Sequence, residues 1–227
     1  MPREYERRIY VTGFTTIGGP VVLADDFEGA FNWTISGYPT GTDFEGGYAT
    51  DLSFSGNACM VLKTRATNPS EGDWVSAQRY INIGATRKIL LDCRFRFDLF
   101  VSLYEGIYFT IFYIAPNENE LYEARLKYSP SDGKWYYYSQ IGTFTEISNS
   151  VQLRHDAWHR VRASFDLKNY KYMQLQVDSV VYDLSDYSIP YSTTTWAGEY
   201  ATVGFMVINS ASSQVKAYFD DVLVLEM

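Results

Sequence analysis

Lys88-Ile89-Leu90-Leu91-Asp92-Cys93-Arg94-Phe95-Arg96-Phe97-Asp98-Leu99 decides the fold class. Leu91, Cys93, Phe95, Phe97 and Leu99 fall on one face of an extended chain, and Asp92, Arg94, Arg96 and Asp98 fall on the other. Successive side chains of a strand point to opposite sides, so a period of two describes a strand with one buried and one wet face. The pattern recurs outward from here. Val161, Ala163 and Phe165 alternate with Arg160, Arg162 and Ser164, and Met173, Leu175 and Val177 alternate with Gln174, Gln176 and Asp178. Residues 107–114 are apolar on both faces, which predicts a strand covered on both sides. Strands are predicted over residues 21–27, 58–64, 74–81, 88–99, 107–115, 121–128, 134–140, 158–167, 172–184, 201–209 and 215–225. Turn residues such as Asn68-Pro69 and Ser131-Asp132-Gly133 separate them. No segment has a long 3.6-residue period, so the expectation is an all-β, two-sheet antiparallel jelly-roll sandwich.

The composition agrees. Of 227 residues 46% are hydrophobic and 20% charged, enough apolar surface for one large core. Aromatic residues make up 17%, with 20 Tyr, a usage that suits strands. The net charge of −8 argues against a protein that grips nucleic-acid phosphates. No apolar run approaches the roughly 20 residues of a membrane helix. The opening Met1-Pro2-Arg3-Glu4-Tyr5-Glu6-Arg7-Arg8 has no apolar core, so no secretion signal is expected. Residues 1–19 read as a charged, then Gly- and Thr-rich arm or linker, and residues 20–227 as the jelly-roll domain. Cys59 and Cys93 read as small core residues, with a cross-strand disulfide left open.

Three segments carry a family resemblance. They are Leu23-Ala24-Asp25-Asp26-Phe27-Glu28-Gly29 with Trp33, then Asp156-Ala157-Trp158-His159-Arg160-Val161 followed by residues 173–178, and finally Ala217-Tyr218-Phe219-Asp220-Asp221-Val222-Leu223-Val224. Their order resembles the concanavalin A-like jelly rolls, which include laminin-G-like, lectin-like and carbohydrate-binding domains. The resemblance spans roughly residues 21–226 and implies the same sandwich. It also implies a structural calcium ion held by Glu28 with Asp220 or Asp221, with Asp25 and Asp26 as further ligands. The alternative is that these are exposed or hydrogen-bonded carboxylates at strand ends.

Enzyme signatures of this superfamily are incomplete. The glycosidase pattern Glu-x-Asp-x-x-Glu has two partial matches, Glu71-Gly72-Asp73-Trp74-Val75-Ser76 and Glu118-Asn119-Glu120-Leu121-Tyr122-Glu123. The second follows a hairpin signal and reads as a solvated acidic turn. Arg125, Lys127, Tyr136 and Gln140 can be assembled into a lyase-like set, but the Gln-x-His signature is missing. His155 and His159 have the i, i+4 spacing of a zinc helix, yet lie where a turn enters a strand, about 13 Å apart. His159 reads as a structural residue. The expectation is therefore a protein that is not an enzyme.

The remaining candidates are binding residues. Arg94, Arg96, Arg125, Lys127, Arg160 and Arg162 alternate with core positions, and Tyr136 and Tyr138 could stack against sugars. If their strands are neighbours, they form one glycan-binding or subunit-contact face; otherwise they belong to an ordinary wet sheet face. Trp74, Trp135 and Trp196 are either ligand platforms or caps on the core. A lectin-like fold without an export signal suggests a non-catalytic structural or adhesive component of a virus or phage particle. On this reading it is a capsid-decoration or tail protein made in the host cytoplasm, tied to other subunits or to its own copies by the arm. The alternatives are an extracellular carbohydrate-binding module or lectin, and then a glycosidase or polysaccharide lyase.

Overall fold

The computed structural model describes residues 20–39, 43–84, 86–98, 101–115, 119–195 and 198–227. The arm (residues 1–19), Glu118 and Trp196 lie outside these. Among the described residues sixteen strands form two antiparallel sheets of eight. In chain order they are β1 (Val21–Asp25), β2 (Thr34–Tyr38), β3 (Glu45–Ala49), β4 (Cys59–Lys63), β5 (Trp74–Tyr80), β6 (Lys88–Phe97), β7 (Tyr104–Ile114) and β8 (Glu120–Ser129). The second half contributes β9 (Lys134–Gln140), β10 (Thr143–Glu146), β11 (His159–Asp166), β12 (Lys171–Val177), β13 (Val180–Asp183), β14 (Tyr191–Thr193), β15 (Tyr200–Asn209) and β16 (Lys216–Glu226). The first sheet runs β13-β12-β11-β6-β16-β4-β3, with β1 beside the end of β16. The second runs β10-β9-β8-β7-β15-β5-β2, with β14 beside β8. Among the described residues no helix is long and apolar enough to cross a membrane.

The period-two reading of β6 holds. Leu91, Cys93, Phe95 and Phe97 are buried in the main core, while Arg94 and Arg96 stay partly exposed on the outer face. Most of residues 107–114 is covered on both sides: outward Tyr108 and Thr110 are buried along with inward Ile107, Phe109 and Ile111, while outward Phe112 stays partly exposed. One predicted strand is in fact two. Residues 172–184 divide into β12 and β13, joined by a turn at Asp178-Ser179 with Asp178 at φ 51°. Asp tolerates that left-handed backbone better than a β-branched residue does. The strands not foreseen are β2, β3, β10 and β14, all five residues or fewer. Their Gly-, Ser- and Thr-rich sequences carry little apolar alternation; pairing with β5, β4, β9 and β8 makes them strands.

Cys59 and Cys93 are both buried and free, in separate apolar clusters. Burial pushes the Cys59 thiol up to about 12, helped by the nearby Asp220 and Asp51 charges, so neither the fold nor its chemistry favours a thiolate there.

His159 is a buried link between motifs. Its ring packs on Phe95 and Phe97, its Nδ1 meets Asp178 Oδ2 at 2.8 Å, and its Nε2 meets the Arg154 carbonyl at 2.7 Å. Burial alone would lower its pKa. The hydrogen bonds to Asp178 and Arg154 and the Asp178 charge outweigh that and hold it above the ordinary 6.5. A raised histidine pKa contributes stability that is full below the unfolded value and is lost as pH rises through the folded one. Thermal melts from below pH 6.5 upward should therefore show a midpoint that falls with pH. Asp178→Asn, which removes the carboxylate, should flatten that slope; an unchanged slope would exclude His159 as its source.

Candidate functional site

The binding residues expected to share a face divide between two. Arg94, Arg96, Arg160 and Arg162 lie on the outer face of the first sheet, on β6 and β11. Arg125, Lys127, Tyr136 and Tyr138 lie on β8 and β9 of the second sheet. The reason is topological: β6 pairs with β11 and β16, never with β8.

On the second sheet, alternation of β8 turns Glu123, Arg125 and Lys127 outward, while Tyr122, Ala124 and Leu126 enter the core. The register places Phe112 opposite Glu123, Thr110 opposite Arg125 and Tyr108 opposite Lys127. On the other flank Tyr136 lies opposite Lys127. Each cation is bracketed by rings. The Arg125 guanidinium sits 5.3 Å from the Phe112 ring centroid and 5.0 Å from that of Tyr138. Lys127 Nζ sits 4.8 Å from Phe144, 5.0 Å from Tyr136 and 6.0 Å from Tyr108. Contacts of this kind contribute about 0.5–2 kcal/mol each and fix where the charge is held.

Each cation also has one carboxylate: Arg125 Nη2 meets Glu123 Oε2 at 2.5 Å, and Lys127 meets Glu105 at 3.2 Å. Arg125 Nε is buried without an acceptor among the described residues. The Tyr136 hydroxyl donates to Asp132 at 2.5 Å, and burial together with that carboxylate keeps its pKa above the ordinary tyrosine value. Tyr138 accepts the Gly142 amide at 2.6 Å.

The face continues across β7, β15 and β5. Gly204 faces Thr110 on one side and Gln78 on the other. A Cβ there would come within 2.8 Å of Thr110 Oγ1 and 3.1 Å of the Ala77 carbonyl, so the floor stays level only with glycine. Beside it lies a hollow of about 220 Å3 lined by Gln78, Phe112, Leu121, Tyr200 and Thr202 among others. The exposed Tyr80 stands at its edge, packed against Tyr200 with ring centroids 4.8 Å apart. Gln78, Thr110 and Gly204 carry no motif, and only strand pairing brings them beside Arg125.

The glycosidase pair is not assembled. Glu120 opens β8 rather than sitting in a turn, and Glu123, three residues on, projects from the opposite face. Asp73 is buried against Arg65 at 3.1 Å. Of the lyase-like set, Arg125, Lys127 and Tyr136 gather, whereas Gln140 is exposed at the far end of β9. Trp135 is fully buried in the core, and Trp74 is partly buried at the start of β5.

The carboxylates expected to ligate calcium are held by hydrogen bonds. Glu28 accepts the Asn57 and Ala58 amides at 2.5 and 2.9 Å. Asp220 accepts the amides of Phe54, Ser55 and Asp221 at 2.8–3.0 Å, and Asp221 accepts the Ser55 hydroxyl at 2.6 Å. The carboxylates clamp the 54–58 loop from both chain ends, with backbone N–H groups supplying the positive partial charge. Gly56, at φ 66°, leaves room for Glu28. Asp25 meanwhile holds Trp33 Nε1 at 2.9 Å and Arg79 at 2.7 Å. Among the described residues no group of three or more His, Cys, Asp or Glu side chains is gathered around a common point.

On the first sheet, Asp92 accepts Arg160 Nε and Nη2 at 2.8 and 2.5 Å and Arg162 Nε at 2.8 Å. Asp92 and Arg162 are 7% and 3% exposed, so water does little to screen this triad.

No family model and no curated protein matches the chain. Among solved structures it is similar to an endo-β-1,4-glucuronan lyase from the fungus Trichoderma reesei, with a TM-score of 0.59 at 12% identity, covering 92% of this chain and 96% of that one. It is similar to a carbohydrate esterase from the Shiga toxin-encoding bacteriophage phi24B, with a TM-score of 0.55 at 12% identity and coverage of 86% and 90%. It is also similar to alginate lyase vAL-1 from a Chlorella virus, with a TM-score of 0.53 at 12% identity and coverage of 86% and 93%. Carbohydrate-binding modules of the β-sandwich superfamily are further matches. At these identities the likeness is one of fold, and the fold is the concanavalin A-like jelly roll that the motifs imply. The expectation of a protein that is not an enzyme is overturned: two polysaccharide lyases and an esterase share this architecture over most of their length. A missing linear signature excludes little when a site is assembled from side chains on separate strands.

Asp92→Ala should leave two arginines without their carboxylate and destabilise the fold by about 3–5 kcal/mol in denaturant titrations. A change under 1 kcal/mol would show that the triad is solvated.

Proposed function

We propose that the chain is a polysaccharide-active enzyme that binds an acidic polysaccharide across the outer face of the second sheet and cleaves it by β-elimination. The observation that carries this reading is the placement of Arg125 and Lys127 on one face of β8, each held between aromatic rings, with an Arg125 Nε–H that has no acceptor among the described residues. The structural likeness to two lyases that act on uronate polymers supports it. Sugar rings stack on aromatic faces, and guanidinium groups match carboxylates bidentately.

In such a reaction the C5–H bond next to the uronate carboxylate breaks, its electron pair forms the C4=C5 bond, and the C4–O4 bond breaks with a proton passing to O4. Arg125 and Lys127 would stabilise the charge that develops on the carboxylate when the C5 proton leaves. The C5 proton would pass to Tyr138 in its phenolate form, and the Tyr136 hydroxyl would give its proton to O4. Tyr136 is held in its protonated form at rest, which suits it to donate to O4. Tyr80 and the hollow beside Gln78 would receive a neighbouring sugar. A place on a virus or phage particle is compatible with this activity, because an enzyme that opens a polysaccharide coat has a use at a particle surface.

The test is incubation with glucuronan, alginate and other polyuronates, following the ultraviolet absorbance of the unsaturated uronate ends. The wild type should generate that absorbance, Arg125→Gln should lose roughly 100-fold or more in rate, and Tyr136→Phe should lose rate without losing binding. Release of acetate from acetylated polymer without new unsaturated ends would overturn elimination in favour of ester cleavage.

A further inference from the structure

The outer face of the first sheet, on the other side of the sandwich from the proposed cleavage face, holds a cleft of about 760 Å3 lined by Asp26, Asp92, Arg94, Arg160 and Asp221 among others. Its volume lies in the range of about 300–1,000 Å3 common to small-ligand sites.

The strand register creates an unusual charge at its centre. Arg94 lies opposite Arg160 on one side and Asp220 on the other. Arg160 is neutralised by Asp92, and Asp220 is turned to the amides of the 54–58 loop. Arg94 is thus left without a hydrogen-bond partner among the described residues. Its guanidinium lies 4.3 Å from the Phe54 ring centroid, a stack that orients the planar fork and leaves its N–H donors unused. Burial and the facing Arg160 lower its pKa against the opposing charges of Asp92, Asp221 and Asp178.

The acceptors around it are also prearranged. A β-bulge between Asp220 and Leu223 puts Asp221 at φ 48° with no cross-strand partner on β6. Bulges of this kind re-aim a side chain. Asp221 uses Oδ1 for Ser55, and Asp26 uses Oδ1 for the Glu28 amide, so Oδ2 of each is without a protein donor among the described residues.

We propose that this cleft binds a monoanionic, polyhydroxylated ligand, an acidic sugar, whose carboxylate is forked by Arg94 and whose hydroxyls donate to Asp26 and Asp221. Asp26 and Asp221, the two lining aspartates without a basic partner, repel a compact dianion such as phosphate and accept hydroxyl donors. The assignment is independent of any cleavage chemistry on the second sheet.

Sodium glucuronate and, separately, inorganic phosphate are titrated into the full chain at low ionic strength, following the amide resonances of Phe54 and Ser55. Glucuronate should shift them in wild type and in Arg125→Gln alike. Arg94→Gln should weaken that response about tenfold or more, the cost of a lost charge-assisted pair. Asp26→Asn, an exposed position clear of the core, should weaken it severalfold with an unchanged melting midpoint. Four outcomes would overturn the proposal: no shift in wild type, an undiminished shift in Arg94→Gln, loss of the shift in Arg125→Gln, or phosphate binding as tightly as glucuronate.

Discussion

Phe95 and Phe219 on the first sheet interlock with Phe109, Phe205 and Trp135 on the second, and the rest of the molecule depends on that contact. Phe205 stacks on Phe219 with centroids 4.5 Å apart, and Phe109 meets Phe95 edge-on at 5.1 Å. Trp135 and Trp33 extend the cluster to either side. Pairs of this kind contribute about 0.5–1.5 kcal/mol beyond their buried area. They also fix which face of each strand turns inward. A one-residue slip in β6 would bury Arg94 and Arg96 and expose Phe95 and Phe97. The outer faces, with all their charged residues, are consequences of that inner contact.

The motifs that carry the family resemblance turn out to do structural work. Asp25 ties Trp33 and Arg79 together, Glu28 and Asp220 clamp one loop from both ends of the chain, and His159 joins Asp178 across the β11–β12 hairpin. Asp25, Asp220 and His159 are buried or half-buried polar groups that must find a partner, because leaving one unpaired costs about 1–3 kcal/mol, whereas Glu28 is exposed. That requirement makes such residues recognisable at a distance in sequence, and it explains why they identify a fold without identifying an activity.

The two outer faces share one composition and differ in arrangement. On the second sheet each cation has a carboxylate and a cage of rings, which makes a rigid platform spanning several strands. On the first sheet Asp92 is shared by Arg160 and Arg162, so Arg94, their neighbour, is left over. A surface with an overall charge of −8 therefore contains two places where positive charge is held still by its surroundings. Fixed charge of this sort selects ligands more sharply than charge on mobile side chains, because no ordering entropy is lost when the ligand arrives.

The sequence by itself determined the all-β class, the strands with alternating apolar and polar residues, the inward positions of β6 and β11, and the resemblance to the concanavalin A-like jelly rolls; in β12 a register shift turns Tyr172 inward where the alternation expected Met173. These follow from local physics: a period of two is written in neighbouring residues. It also identified Arg125, Lys127, Tyr136 and Tyr138 as candidates for a ligand face. The tertiary structure alone decided that Arg94 and Arg125 lie on opposite sides of the sandwich, that Gln78, Thr110 and Gly204 join Arg125 in one row, and that the terminal carboxylates meet backbone amides. It also made strands of the weakly patterned β2, β3, β10 and β14. These outcomes rest on which strands become neighbours, and strand order is set by long-range packing of the two inner faces, which no local window of residues encodes.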